Sequence, residues 1–183
     1  MYKIIIILLS YTLFIISCDS GDHIRIYRLP KQEQPLDNAI KDKNEFVLKW
    51  ETPEMWTEVQ GHSMRLASFS VPTTKGKGDL SITTFSGISG GVEANVNRWL
   101  GQIELEPLSL IEIQKLSLTS RGKLGDYQYF KLINEYQKEN AILASIFQLK
   151  DRTVFVKLSI NGGGISETES EFRSFCESIY IPE

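Results

Sequence analysis

Residues Arg152–Ile160 alternate without interruption, with Val154, Val156, Leu158 and Ile160 set against Phe155, Lys157 and Ser159. A period of two sustained over this length fits a pleated strand with one apolar face and not a helix, whose period is 3.6. The same alternation recurs upstream. Residues 65–71 place Ala67, Phe69 and Val71 on one side, and residues 79–85 place Leu80 and Ile82 on one side. Between them, residues 72–78 (Pro-Thr-Thr-Lys-Gly-Lys-Gly) have the composition of a turn. Gly125–Ile133 and residues 141–149 read as further consecutive antiparallel strands, and Lys150-Asp151 as the tight turn leading into the last one.

Two segments change to helical spacing. Residues 91–104 put Val92, Val96, Trp99, Leu100 and Ile103 on one stripe, with Glu93, Asn97 and Gln102 on the other side. A second helix is predicted to begin at Ser166-Glu167-Thr168-Glu169, a capping-box pattern in which the serine and the glutamate satisfy free helix amides. Phe172, Phe175, Cys176 and Ile179 form its apolar face, and Pro182 follows its end. These elements predict an α+β domain: an antiparallel sheet of five to seven strands packed with two main helices.

The composition changes near Glu45. Asp19 to Asn44 is rich in Asp, Lys, Gln, Asn and Pro, and after Leu29 it has few large apolar residues. It reads as a solvated tether over residues 18–44, with a single domain over residues 45–183. Ile24-Arg25-Ile26-Tyr27-Arg28-Leu29 is the exception, a strand-like stretch that Pro30 would end at a sheet edge.

Ahead of the tether, Met1-Tyr2-Lys3 supplies a positive start and residues 4–16 an apolar run broken only by Ser10-Tyr11-Thr12. Ile15-Ile16-Ser17-Cys18 looks like the bacterial lipobox: an apolar residue, a tolerant position, a small residue and a cysteine. The resemblance implies a lipoprotein signal peptide over residues 1–17, removed from the mature protein. Cys18 would then be the lipidated N-terminus, bearing acyl chains such as palmitate. The mature chain would sit in the bacterial cell envelope, anchored to a membrane and facing away from the cytoplasm. Two other readings stay open. An uncleaved transmembrane helix needs roughly 20 apolar residues, more than this run offers before Asp19-Ser20-Gly21-Asp22. An ordinary signal peptide could be cut elsewhere, with Ser17 as its small residue.

The remaining composition narrows the chemistry. The chain has two cysteines, so lipidation of Cys18 leaves Cys176 without a partner, and a disulfide scaffold is not expected. Cys176, within an apolar helix stripe, reads as a buried structural thiol. The two histidines, His23 and His62, make no cluster with metal-ligand spacing, so neither a metal nor another cofactor is expected. The formal net charge is −3 and no run of Lys or Arg exceeds two residues, which gives no footprint for nucleic acid.

Several pieces occur together in order: Tyr27-Arg28-Leu29-Pro30-Lys31, Trp50-Glu51-Thr52-Pro53-Glu54-Met55-Trp56, Met64-Arg65-Leu66-Ala67-Ser68-Phe69, and Gly87-Ile88-Ser89-Gly90-Gly91. The last runs into Asn95-Val96-Asn97-Arg98-Trp99-Leu100-Gly101-Gln102, and Val154-Phe155-Val156-Lys157-Leu158 closes the series. Together they resemble a family of secreted bacterial proteins, many of them lipoproteins, related to the Mog1/PsbP-like α/β/α sandwich. Asn-x-Asn-Arg-Trp-x-x-Gln is the most specific part. The resemblance implies a fold whose strands surround a Pro-x-x-Trp entry and two packed helices, found in binding or assembly factors with no shared catalytic set. Fold alone does not assign function.

Three motifs invite a functional reading. Gly87-Ile88-Ser89-Gly90-Gly91 matches the Gly-x-Ser-x-Gly elbow, which would make Ser89 a hydrolase nucleophile. Both histidines precede Ser89, the wrong order for that fold type, and a glycine-rich turn explains the same residues. The amides of Gly90 and Gly91 could face an anion at a helix N-terminus, although Glu93 already supplies a negative group there. Asn95, Arg98 and Gln102 fall on one polar strip beside the apolar stripe. That strip either anchors the helix to loop carbonyls or, bordered by Trp99 or Trp56, forms a recognition patch. Asn161-Gly162-Gly163-Gly164 lacks the Lys-Ser or Lys-Thr of a P-loop. The expected function is therefore a membrane-anchored binding or assembly module with an envelope protein as partner. A structural lipoprotein without a ligand and a serine hydrolase using Ser89 are the alternatives.

Overall fold

The computed structural model describes residues 46–61, 64–137 and 139–182. The signal peptide, Cys18, the tether and both histidines lie outside these residues. Contacts among the described residues fall within one compact unit, Asn44–Glu183.

The chain forms β1 (Thr57–Glu58), β2 (Ala67–Thr73), β3 (Gly76–Ser86), α1 (Gly91–Gln102), α2 (Leu110–Leu116), β4 (Leu118–Gly122), β5 (Gly125–Ile133), β6 (Ala141–Gln148), β7 (Arg152–Ile160), a 3-10 turn (Gly162–Gly164) and α3 (Ile165–Ser178). The seven strands make one sheet in the order β1-β2-β3-β7-β6-β5-β4, and each neighbouring pair is antiparallel. This is the expected α+β architecture. The Lys150-Asp151 hairpin closes as read, with the Leu149 amide donating to the Arg152 carbonyl at 2.9 Å.

Alternation along the strands sorts the side chains into two cores. Val154, Val156, Leu158 and Ile160 of β7 face α3 together with Leu80, Ile82, Phe69, Leu143 and Phe147. On that side Trp50, Trp56, Phe69 and Phe175 meet edge to face or tilted, with centroids 5.1–6.4 Å apart. Such pairings add to the area that the rings bury. On the opposite face, Phe130, Leu132, Ile142, Ala144, Ile146 and Phe155 are covered by Val96, Trp99 and Leu100 of α1, by Ile103 just past its end and by Ile113 of α2. The sheet therefore has helices on both faces.

Several details depart from the sequence reading. The turn expected over residues 72–78 is shorter: β2 runs to Thr73 and β3 begins at Gly76, with Pro72 paired to Lys77. Pro72 can stand in a strand here because β1 pairs only with Phe69 and Ser70, leaving the outer side of β2 free beyond them. Beside the two main helices, the described residues hold a third, short one. The extra one, α2, holds the capping box: Ser109 Oγ accepts from the Glu112 amide and Glu112 Oε2 accepts from the Ser109 amide. The box expected at Ser166–Glu169 does not form. There α3 starts a residue earlier on Gly164 with no side-chain cap, because Glu169 is drawn to Tyr129 Oη at 3.0 Å and Lys131 Nζ at 2.7 Å. Tertiary partners outcompete the local amide. Gly122 is required where β4 meets the end of α3, since a Cβ there would lie 2.7 Å from Glu177 Cα.

Burial alone would raise the Glu169 carboxyl, but the hydrogen bonds from Lys131 and Tyr129 outweigh it and leave it below its ordinary value. A carboxylate lowered on folding contributes stability above its unfolded pKa and loses it as pH falls through the folded one. The stability gap between wild type and Glu169→Gln is therefore expected to narrow as pH drops below about 4, the ordinary carboxylate value. Denaturant midpoints across pH measure this, and a gap that stays constant through the acid range contradicts it. On the other face, Trp99→Ala removes a ring that is 2% exposed and should lower stability by about 3–5 kcal/mol. Arg98→Ala and Gln102→Ala, both at exposed positions, should each cost less. Melts of the three variants rank them, and an Arg98→Ala loss equal to that of Trp99→Ala would break the order.

Candidate functional site

Helix α1 begins in a turn that few side chains tolerate. Gly87, Ser89, Gly90 and Gly91 have φ of 65°, 46°, 81° and 74°, and the three glycines take this left-handed backbone without a Cβ penalty. Asn95, 5% exposed, ties the turn down: its Nδ2 donates to the Ser89 carbonyl at 2.9 Å and the Gly91 carbonyl at 2.6 Å. Its Oδ1 accepts from Arg98 Nη2 at 2.9 Å. Asn95 is thus a fixed strut for the loop, and Arg98 is held in position by it.

One turn on, Gln102 Oε1 accepts from Lys157 Nζ of β7 at 2.9 Å. The strip Asn95-Arg98-Gln102 therefore runs along the side of α1 that meets the part of the sheet no helix covers. There the alternation of β2, β3 and β7 turns polar. Ser68, Ser81 and Lys157 stand in one row across three strands, and Ser70, Asp79 and Ser159 in the next. Arg65 lies beside both rows, with Nη1 and Nη2 on the two carboxylate oxygens of Asp79 at 2.9 and 3.0 Å and Nη1 also on Ser68 Oγ at 3.2 Å. Burial lowers the Lys157 pKa from its ordinary value; the positive fields of Arg65 and Arg98 lower it further, while Asp79 opposes them. Past Gln102 and Ser159 the face opens into a cleft of about 310 Å³ whose charged side chains are Lys77 and Glu139.

The other residues singled out from the sequence lie elsewhere. Trp99, expected to border the patch, points into the core and stacks edge to face on Phe130 and Phe155 at 6.5 and 6.1 Å. Trp56 lies on the opposite face of the sheet, where its indole N–H donates to Glu171 Oε2 at 3.1 Å. Neither ring borders the strip. Ser89 sits in the glycine turn with its carbonyl engaged by Asn95. Cys176 is buried, and burial pushes its thiol up to about 12, so it stays protonated at neutral pH. Among the described residues no group of three or more His, Cys, Asp or Glu side chains could hold a metal ion.

Sequence reasoning missed Arg65, Asp79 and Lys157 because each belongs to a different element and only strand pairing brings them together. The available signal was Lys157, set between Phe155 and Ser159 on the less apolar face of a long strand. Helical spacing puts Asn97 on the side of α1 away from its apolar stripe. There it clamps the helix connection, donating to the Leu108 carbonyl at 2.9 Å and accepting from the Leu108 amide at 2.8 Å.

No family model and no curated protein matches this chain. Among solved structures it is similar to cyanobacterial PsbP (CyanoP) from Synechocystis sp. PCC 6803, at 14% identity over 75% of this chain and 94% of that one, with a TM-score of 0.46. It is also similar to a protein from Bacteroides thetaiotaomicron VPI-5482, at 13% identity over 74% of this chain, with a TM-score of 0.43. The chain spans 45% of the length of the Bacteroides protein.

Proposed function

We propose that this chain is a lipid-anchored protein of the bacterial cell envelope whose α+β domain binds, or helps assemble, another envelope component. The observation that carries the reading is the half-covered sheet face. Helices α1 and α2 close the apolar β5-β6 half, whereas the β2-β3-β7 half bears Arg65, Asp79, Lys157 and four serines, of which Ser68 and Ser81 are buried. A long strand in a well-packed sheet has no structural need for a half-buried lysine, and polar groups converging beside a helix are a usual form of recognition surface. Ile15-Ile16-Ser17-Cys18 supports the anchor, and the polar stretch that follows supports a tether that lifts the domain from lipid headgroups. The Ser89 turn favours no hydrolase, since its geometry is accounted for by three glycines and the bonds from Asn95.

Cys18→Ser is expected to abolish fatty-acid labelling and to move the protein from the membrane fraction to the soluble one, because stable attachment requires acyl chains. A Ser variant that stays in the membrane pellet overturns the anchor. Partner binding is read by site-specific photocrosslinking in the native envelope. A benzophenone side chain replacing Ser159, on the open face, should give a discrete adduct, whereas one replacing Ser170, exposed on α3, should not. Equal adducts from both faces, or none from Ser159, contradict the proposed surface.

A further inference from the structure

We infer that the open polar face beside α1 binds a phosphate-monoester type of oxyanion, held by Lys157 and Arg98 with Arg65 at its border. The inference rests on the binding-module reading above and names the chemistry that its face takes.

The charge count comes first. Arg65 engages Asp79 through both oxygens, so that pair is close to neutral. Arg98 and Lys157 remain, and among the described residues neither has a carboxylate partner within ion-pair distance. The chain as a whole carries −3, so two cations without an ion-pair partner, each bonded to an amide side chain of the same α1 strip, run against its overall sign. A phosphate monoester carries about −1.5 to −2 at neutral pH, which matches them, whereas a single carboxylate leaves one cation unpaired.

Donor capacity agrees. An ammonium has three N–H donors and a guanidinium five. Lys157 places one bond on Gln102 Oε1 and Arg98 one on Asn95 Oδ1, leaving donors for the three oxygens of a phosphate. Asn95 and Gln102 also hold the two cations in place, which lessens the ordering needed on binding. Lys77 and Glu139, in the adjoining cleft, offset each other and leave room for the group that bears the phosphate.

Energetics points the same way. Lys157 is half-buried, and that burial lowers its pKa, with Asp79 favouring the charged form and Arg65 and Arg98 opposing it. A residue held in a setting that disfavours its own charge is expected at functional positions, where a local rule is broken for another purpose. An incoming oxyanion would remove that penalty.

Binding of inorganic phosphate to the full chain carrying Cys18→Ser can be followed by phosphorus NMR. Lys157→Met and Arg98→Gln should each weaken it by about tenfold or more, the loss of one charge-assisted hydrogen bond. Lys131→Met, whose ammonium pairs with Glu169 on the opposite face, should leave it unchanged. Lys157→Met should unfold at or above the denaturant midpoint of its parent at neutral pH, which separates loss of binding from loss of fold; Arg98→Gln carries the same test from an exposed position. Phosphatidylcholine vesicles with and without phosphatidic acid then distinguish the sources. Retention that needs both phosphatidic acid and Lys157 identifies a lipid headgroup, and phosphate binding without such retention identifies a soluble phosphate compound. Phosphate that fails to bind, or that binds Lys157→Met as well as the parent, overturns the site. Lys157-dependent phosphate binding without a crosslink from Ser159 leaves the oxyanion site standing and removes the module reading.

Discussion

On one face of β7, Phe155, Lys157 and Ser159 follow each other at the two-residue spacing of a strand, roughly 6.5–7 Å apart. Phe155 lies under Trp99 at 6.1 Å, whereas Lys157 lies beyond the helix and reaches back only to Gln102. The other face of the same strand is apolar from Val154 to Ile160 and is covered by α3. This change of polarity within one strand governs the arrangement around it. Helix α1 must sit where Phe130, Ile142, Ile146 and Phe155 offer apolar surface, and its polar edge must then run along Lys157. A helix shifted towards β2 and β3 would bury Arg65, Asp79 and Lys157 beneath Val96 and Trp99, at a desolvation cost that their mutual pairing would not repay.

Asparagines hold that position. Asn95 binds the turn before α1, Asn97 clamps Leu108 after it, and Asn134 donates to the Ile103 carbonyl at 2.9 Å where the helix ends. Each satisfies backbone groups that a helix terminus or a connecting loop leaves unpaired. Both ends of α1 are thereby fixed, so the Arg98 and Gln102 side chains project from a rigid element onto the sheet. Rigid presentation is what a binding surface needs, because less freedom is lost when a ligand arrives.

The α3 side is of a different character. Trp50, Trp56, Phe69 and Phe175 form a continuous aromatic cluster, and the Lys49–Tyr180 bridge ties the first described segment to the chain two residues past α3. Cys176 lies fully buried within this layer. The larger of the two apolar clusters lies on that face, and the opposite one divides its area between core and polar surface.

The sequence by itself determined the five longer strands and the two longer helices, because periods of 2 and 3.6 are local properties of the chain, whereas the short β1 and β4 carry too few residues to show a period. Gly125–Ile133 and Arg152–Ile160 are read with their observed bounds, and the stripe through Val96, Trp99, Leu100 and Ile103 is the buried one. The spacing of Asn95, Arg98 and Gln102 likewise placed them on one strip. Other features depended on competition between local and distant partners. Ser166 and Glu169 have the pattern of a capping box, yet Glu169 goes to Tyr129 and Lys131, while Ser109 and Glu112 cap a helix of only seven residues that shows too few turns to be read from its period. Only the tertiary structure could bring Arg65, Asp79 and Lys157 together, since strand register and not sequence distance makes them neighbours, and only packing could decide that Trp99 belongs to the core while Arg98, next to it, faces the open sheet.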